Sequence, residues 1–234
     1  MNYELERSDL TNKVSSWRFW APLIFQSVLI LVAPAQAIYT QMTGKTIILQ
    51  TIPVDPYDIL RGYSQTLRYS ISRIETLEAL SGWKTVADAS NRDRDGNLES
   101  GTQLYVILQA PEKSALSGQA PRPWKPVAVS RDRPANLPPN RIALKGKKSD
   151  YLWIDYGLET YYFPETQRDE INAQINQTIP DSGEERPFVV EVKVDSQGRA
   201  LPISLWIGEK NYNFGYINEL GTTNSSLITS LSSL

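Results

Sequence analysis

The chain has 234 residues, a formal net charge of −2, and neither cysteine nor histidine. Without cysteine it has no disulfide, thiol nucleophile or thiolate metal site, and without histidine it lacks the commonest general base and metal ligand. The charge balance gives no broad basic surface for nucleic acid, and no sequence pattern predicts a cofactor.

An uncharged stretch near the N-terminus predicts a membrane anchor. Residues 1–16 are polar, whereas Phe19 to Gly44 contains no charged residue. Such a span is long enough to cross about 30 Å of hydrocarbon at about 1.5 Å per helical residue. Trp17 and Tyr39 suit the two membrane interfaces. We therefore predict a cytoplasmic segment over residues 1–16 and a transmembrane anchor over residues 17–42, with residues 19–39 contacting lipid.

Two other interpretations of this stretch stay open, a cleaved secretory signal and a buried core helix. The signal is suggested by Ala35-Gln36-Ala37, which resembles a cleavage site after an apolar run. The basic residues Arg7, Lys13 and Arg18 precede the span, and only Lys45 follows it closely. This bias predicts a cytoplasmic N-terminus and a C-terminal domain in the periplasm or a lumen.

Beyond the anchor the pattern predicts a mainly β (α+β) extracytoplasmic domain of antiparallel strands with one short helix, over residues 43–216. A flexible polar tail is predicted over residues 217–234. The helix follows Pro164, with Ile171, Ile175 and Ile179 at four-residue spacing, and a weaker helical stretch covers residues 74–80. The last two strands form a hairpin, because a turn ending in Gly198 separates an alternating run over residues 188–194 from a returning run over residues 200–207. The predicted strands cover residues 45–52, 65–71, 104–108, 124–129, 141–144, 151–156, 188–194 and 200–207.

The segment from Gly62 to Tyr69 contains three residues, Gly62, Leu67 and Tyr69, that match a known signature. Tyr63 and Ser64 stand where that signature has Asp and Tyr. Tyr156 to Glu165 is the second similar segment. The third is Gly198 to Pro202, which leads into Leu205 to Gly208.

In these segments the chain resembles the GDYXXLXY family of membrane-anchored bacterial proteins. The resemblance covers roughly residues 21–212 and implies architecture rather than an activity. Because that family is common in photosynthetic bacteria, the resemblance implies either an inner membrane or a thylakoid membrane. We expect Gly62 and Tyr69 to be structural, since Gly62 separates a Pro-Asp turn from a strand and Tyr69 shares a strand face with Leu67 and Ile71.

The segment from Asn91 to Glu99 partly matches a calcium-binding loop. Asn91, Asp93, Asp95, Asn97 and Glu99 offer oxygen ligands at alternate positions, with a glycine at the sixth. The twelfth position is Thr102, so the bidentate carboxylate that closes such a site is missing. The alternative is a solvated Asp-Gly turn that leads into the next strand.

Serine with lysine is the nucleophile–base pair that this composition readily permits, because a desolvated lysine can deprotonate a hydroxyl. Ser64, next to the glycine motif, is the hydroxyl that attracts notice, but no lysine follows it at a recognisable spacing. We predict no catalytic residue.

An aromatic-rich run comprises Tyr151, Trp153, Tyr156, Tyr161 and Tyr162. Such residues pack in cores, and any that face outward make an interaction surface, since Tyr and Trp are enriched at binding hot spots. The sequence leaves both roles open.

These patterns favour a non-enzymatic, membrane-anchored binding or assembly protein. Its predicted partner is a membrane protein or complex at the extracytoplasmic surface. The alternatives are a membrane-anchored Ser/Lys hydrolase resembling signal peptidases, and a calcium-responsive binding module.

Overall fold

A computed structural model describes residues 16–51, 64–113, 119–150, 152–162, 170–171, 173–174 and 188–214. The side chains of Ala33, Ser64, Gln65, Thr66, Tyr161 and Tyr162 also lie outside the description. Among the predicted features, Gly62, Tyr151, the tail over residues 217–234 and most of the helix after Pro164 therefore fall outside it. Of that helix, Glu170 and Ile171 and residues 173–174 are helical.

The chain divides into two units, Met1–Tyr39 and Thr40–Leu234. The described part of the first unit consists mostly of helix α1 (Trp17–Thr43). The last turn of this helix belongs to the second unit. At about 1.5 Å per residue, 27 residues span about 40 Å. The helix is long and apolar enough to cross a membrane, and none of its most apolar 18-residue window is buried. The interpretation as a buried core helix is therefore wrong.

The second unit is mostly antiparallel β-sheet. Its described strands are β1 (Lys45–Gln50), β2 (Ser64–Thr66), β3 (Gln103–Gln109), β4 (Lys125–Ser130), β5 (Arg141–Lys148), β6 (Ile154–Asp155), β7 (Thr160–Tyr162), β8 (Phe188–Val194), β9 (Ala200–Ile207) and β10 (Lys210–Asn213). One four-stranded sheet has the order β1-β8-β9-β10, and the other has the order β4-β3-β5-β6. Strands β2 and β7 form a separate pair. The predicted fold class, mainly β with antiparallel strands after an N-terminal helix that could span a membrane, is confirmed.

Alternate residues of the two large sheets supply the core. Ile47 lies opposite Val192 in the first sheet, and Val106 lies opposite Leu144 in the second. All four side chains are fully buried and belong to one apolar cluster. Period-two alternation of this kind puts one face of each strand in the core.

Two short helices follow β2 in the chain, α2 (Ile74–Glu78) and α3 (Trp83–Ala89). The first confirms the weak helical prediction, whereas α3 was not predicted. Gly82 precedes α3 with φ +87°, and a Cβ there would lie 2.2 Å from the carbonyl oxygen of Val129. The helix therefore begins where β4 approaches too closely for any side chain.

The predicted strand over residues 65–71 is wrong in its second half. Strand β2 ends at Thr66, Tyr69 forms a single bridge with Thr51, and Ser70–Ser72 is a 3₁₀ helix. Leu67, Tyr69 and Ile71 are nevertheless all buried. The alternation in the sequence therefore reports burial at every second residue rather than a continuous strand.

The hairpin of β8 and β9 has the predicted bounds. Gly198 in its turn has φ +82°, the left-handed conformation that favours glycine. Its carbonyl accepts a hydrogen bond from the Lys145 N–H of β5 at 2.8 Å. The tip of the first sheet is thus joined to β5 of the second.

Candidate functional site

The motif residues Leu67 and Tyr69 point into the core and are tied to the second family segment. The Leu67 N–H donates to the Glu159 carbonyl at 2.8 Å. The Tyr69 hydroxyl is fully buried and donates to the Leu158 carbonyl at 2.9 Å. In return, the Tyr156 hydroxyl donates to the Ile71 carbonyl at 2.6 Å. The buried tyrosine of the first segment therefore satisfies a carbonyl of the second, and that of the second satisfies a carbonyl two residues beyond the first.

Gly146 makes room for this arrangement. A Cβ at Gly146 would lie 2.9 Å from Cε1 of Tyr156 and 2.5 Å from Cγ2 of Ile154. The absent side chain lets the Tyr156 ring lie against β5. Burial, followed by the nearby carboxylates of Glu159 and Asp155, holds the pKa of Tyr156 well above its ordinary value, so the hydroxyl keeps its proton.

The Glu159 carboxylate shapes the turn at the start of the second family segment. It accepts the backbone N–H groups of Tyr156 and Leu158, which flank Gly157 at φ +74°. Burial raises the pKa of Glu159 above its ordinary value, although these two N–H groups oppose the shift. Its role is to order the turn that receives Tyr69.

Between the buried motif residues, Arg68 reaches Trp153 at the surface. The guanidinium carbon of Arg68 lies 4.0 Å from the centroid of the Trp153 ring, and that of Arg73 lies 5.6 Å from it. Arg73 also pairs with Trp153 in an antiparallel bridge. Leu152, the neighbouring residue, is 53% exposed. We call Arg68, Arg73, Leu152 and Trp153 the Arg–Trp patch.

The patch presents two positive charges beside apolar surface. Among the described residues, neither Arg68 nor Arg73 forms an ion pair. Arg73 is exposed, while Arg68 and Trp153 are half-buried. A guanidinium held against an indole keeps its N–H fork available for a carboxylate, and two such groups suit an acidic ligand.

The aromatic run splits between the two roles that the sequence left open. Tyr156 is buried in the core, and Trp153 is partly exposed in the Arg–Trp patch. Tyr151 and the side chains of Tyr161 and Tyr162 lie outside the described residues. Sequence reasoning missed Arg68 and Arg73. One signal was available, because Arg68 stands between two residues that the motif buries and must point the other way.

The loop from Asn91 to Glu99 forms a tight turn. The Asp93 carboxylate accepts the backbone N–H groups of Asp95 and Asn97 at 3.0 and 2.9 Å. In the described part of the chain, no three Asp or Glu side chains are grouped closely enough to hold a metal ion. The Asp93 carboxylate therefore orders the turn, and calcium binding stays a hypothesis.

For the Ser/Lys hypothesis, the buried amine among the described residues is that of Lys148. Lys148 is 3% exposed, and its ammonium group donates to the carbonyl of Asp150. The Ser64 side chain lies outside the described residues. A lysine that serves as a hydrogen-bond donor in this way has a structural role in joining β5 to the turn before β6.

Comparison with known proteins identifies the family of the chain. No curated protein and no solved structure matches the chain significantly. A family model described as GDYXXLXY protein matches residues 26–205, which include the first two of the segments discussed above and the third as far as Leu205. The chain therefore belongs to the GDYXXLXY family.

Proposed function

We propose that this chain is a non-enzymatic, membrane-anchored binding protein whose Arg–Trp patch contacts an acidic segment of a membrane protein. The observation that carries this proposal is the pair of guanidinium groups, Arg68 and Arg73, on one partly exposed indole. Tryptophan and arginine are the residue types that dominate binding hot spots. The exposed Leu152 adds apolar area beside them.

The buried motif residues hold the chain segments that form this patch. Tyr69 and Tyr156 lock the two chain segments that carry Arg68 and Trp153, so the patch is ordered before a partner arrives. Binding costs less when the interacting side chains are already held in place. The motif thus acts on recognition through the structure that it builds.

Helix α1 supports a location at a membrane. Its length and apolar composition suit a single span, and the basic residues before it favour a cytoplasmic N-terminus in an inner membrane. The domain then lies in the periplasm, or in the lumen if the membrane is a thylakoid. Because the natural chain has no cysteine, Asn97→Cys alone should react with a membrane-impermeant maleimide in intact cells, whereas Ser8→Cys should react only after lysis. The opposite labelling pattern would reverse the proposed orientation.

A site-specific cross-link tests the binding surface. Benzoylphenylalanine in place of Leu152, in the full-length chain in its own membrane, should cross-link to a membrane-fraction protein. Combining Arg68→Gln with Arg73→Gln should lower the yield at least tenfold, because a hydrogen bond to a charged group contributes about 1.5–3 kcal/mol. Raising the salt concentration should also lower it, since exposed charges are screened beyond about 8 Å at physiological ionic strength.

The matched control removes the same two charges elsewhere. Arg94 and Arg122 are exposed arginines outside the patch, so Arg94→Gln with Arg122→Gln should leave the cross-link unchanged. Equal loss in both double variants would point to a general charge effect and contradict the patch. Ser64→Ala should also leave the cross-link intact. Labelling of Ser64 by a serine-directed phosphonate would favour the hydrolase instead.

A further inference from the structure

A second charged surface of the Thr40–Leu234 unit lies where the chain leaves helix α1. It is a cleft of about 320 Å³ between the start of β1, the loop before β5, and the tip of the β8–β9 hairpin. Its polar lining consists of Thr43, Lys45, Arg133, Arg141, Asp195 and Ser196. Three of these six groups are cationic and one is acidic.

The acidic group is already neutralised. Asp195 is 4% exposed, and its carboxylate forms a 2.8 Å ion pair with the Arg199 guanidinium. It also accepts backbone N–H groups from Gln197 and Arg199. Burial raises the pKa of Asp195, but these hydrogen bonds outweigh it and leave the pKa below its ordinary value. Asp195 is therefore ionised and paired with Arg199, and its charge does not cancel those of the three cations.

Two of the three cations are held in position, and all three retain donors. The Lys45 ammonium donates to the Pro139 carbonyl and lies 5.1 Å from the centroid of the Trp124 ring. Arg141 uses one N–H, on Nε, for the Gln109 side chain at 3.0 Å. Arg133 is exposed and forms no ion pair with any described residue. An arginine has five N–H donors and a lysine three, so most of them remain for an anion.

Where helix α1 spans a membrane, as proposed above, the chain keeps this cleft close to the membrane surface. Lys45 follows the interfacial Tyr39 by six residues, and six residues reach at most about 20 Å when fully extended. Thr43, which lines the cleft, is the last residue of α1. Basic residues at such a distance from a span attract the anionic groups of lipids.

We propose that this cleft binds the phosphate headgroup of an anionic phospholipid from the bilayer in which the chain is anchored. The phosphate oxygens accept hydrogen bonds from Arg133 and Arg141, and Lys45 supplies the third positive charge. Arginine forks match the geometry of phosphate oxygens. The cleft is separate from the Arg–Trp patch, so the two sites can be tested independently.

Native mass spectrometry of the full-length chain tests this proposal. The chain is released from neutral detergent micelles that contain equal amounts of phosphatidylglycerol and phosphatidylcholine. The wild type should retain phosphatidylglycerol in preference to phosphatidylcholine. Arg133→Gln alone should lower that retention about fivefold, and Arg133→Gln with Arg141→Gln roughly 30-fold, because each juxtamembrane charge contributes about 1 kcal/mol.

Matched charge removal and free phosphate are the controls. Arg94→Gln with Arg122→Gln should retain the lipid within about twofold of wild type, since both residues lie outside the cleft. Excess inorganic phosphate should not displace the lipid, because its acyl chains hold the headgroup in the micelle. Displacement by phosphate, equal retention of phosphatidylcholine, or undiminished retention by Arg133→Gln would each overturn the proposal. Arg133→Gln alters an exposed side chain, so the variant should fold normally. Unchanged thermal unfolding will verify this.

Discussion

Replacing Tyr69 by phenylalanine isolates the structural role of the family motif. The substitution keeps the ring in its fully buried position and removes only the hydroxyl that donates to the Leu158 carbonyl. A buried carbonyl that loses its donor costs about 1–3 kcal/mol. For a domain of 150–250 residues, each kcal/mol lowers the melting temperature by about 2–4 °C. Tyr69→Phe should therefore melt roughly 2–12 °C lower than wild type.

The assay is thermal unfolding of the full-length chain in detergent, followed by tryptophan fluorescence. Arg68→Gln is the matched control, because Arg68 is the neighbouring residue and points outward onto Trp153. An exposed cation–π contact contributes about 0.5–1 kcal/mol, so this variant should melt at most about 4 °C lower. It should, however, reduce the cross-link from position 152.

Two outcomes would refute this reasoning. Melting of Tyr69→Phe at the wild-type temperature would show that the buried hydrogen bond contributes nothing. Loss of the cross-link in Tyr69→Phe with unchanged melting would make Tyr69 a recognition residue instead of a structural one.

Three further predictions concern the hairpin and the second tyrosine. Gly198→Ala should be more destabilising than Gly96→Ala in thermal unfolding: both have φ +82°, but only at Gly198 would a Cβ meet a backbone atom, the Ala143 oxygen at 2.9 Å. Equal losses would show that the close approach is relieved at no cost. The pKa of Asp195 is lowered from 3.8, so its stabilisation should be present above that pH and disappear as pH falls through the folded-state pKa. Asp195→Asn should flatten the acid limb of the stability curve, and an unchanged limb would assign it to other groups. The pKa of Tyr156 is raised above 10.0, so its stabilisation should hold below that pH and decline as pH rises further. Tyr156→Phe should lessen the alkaline decline, measured by denaturant unfolding across that range, and an identical decline would contradict the role given to its hydroxyl.

The last hairpin was predictable because local and global requirements agree there. Residues 188–194 alternate in the sequence, and the side chains of Phe188, Val190, Val192 and Val194 fill the core, joined by Leu205 and Ile207 of the returning strand. The intervening turn contains Gly198 where positive φ is needed. Period, turn chemistry and burial all indicate one structure, and the observed bounds match.

The segment from Leu67 to Ile71 was misjudged because burial at every second residue has more than one structural solution. After Leu67 the chain forms a single bridge from Tyr69 to Thr51, the residue after β1, and then turns into a 3₁₀ helix. The buried hydroxyl of Tyr69 finds a carbonyl 89 residues away instead of a partner on a neighbouring strand. A contact at that separation overrides local propensity and leaves no local signal.

The candidate site was only partly accessible to sequence reasoning for a similar reason. Trp153 was identified as an aromatic that could face outward, but Arg68 and Arg73 were not connected with it. Their guanidinium groups reach the indole from positions about 80 residues earlier in the chain. Cation–π geometry depends on tertiary packing, which no spacing rule along the chain encodes.

The reciprocal tyrosine bonds also constrain how the domain can fold. They join residues separated by 89 and 85 positions, so neither bond forms until the chain from Ile71 to Tyr156 has been synthesised and its loop closed. Closing a loop of that length lowers the conformational entropy of the chain. This loss precedes any stabilisation by the two contacts. Before Tyr156 leaves the ribosome, the motif tyrosine has no long-range acceptor. A chain truncated before that residue should therefore behave as an unfolded substrate for proteases, even though it carries all three matching signature residues, Gly62, Leu67 and Tyr69.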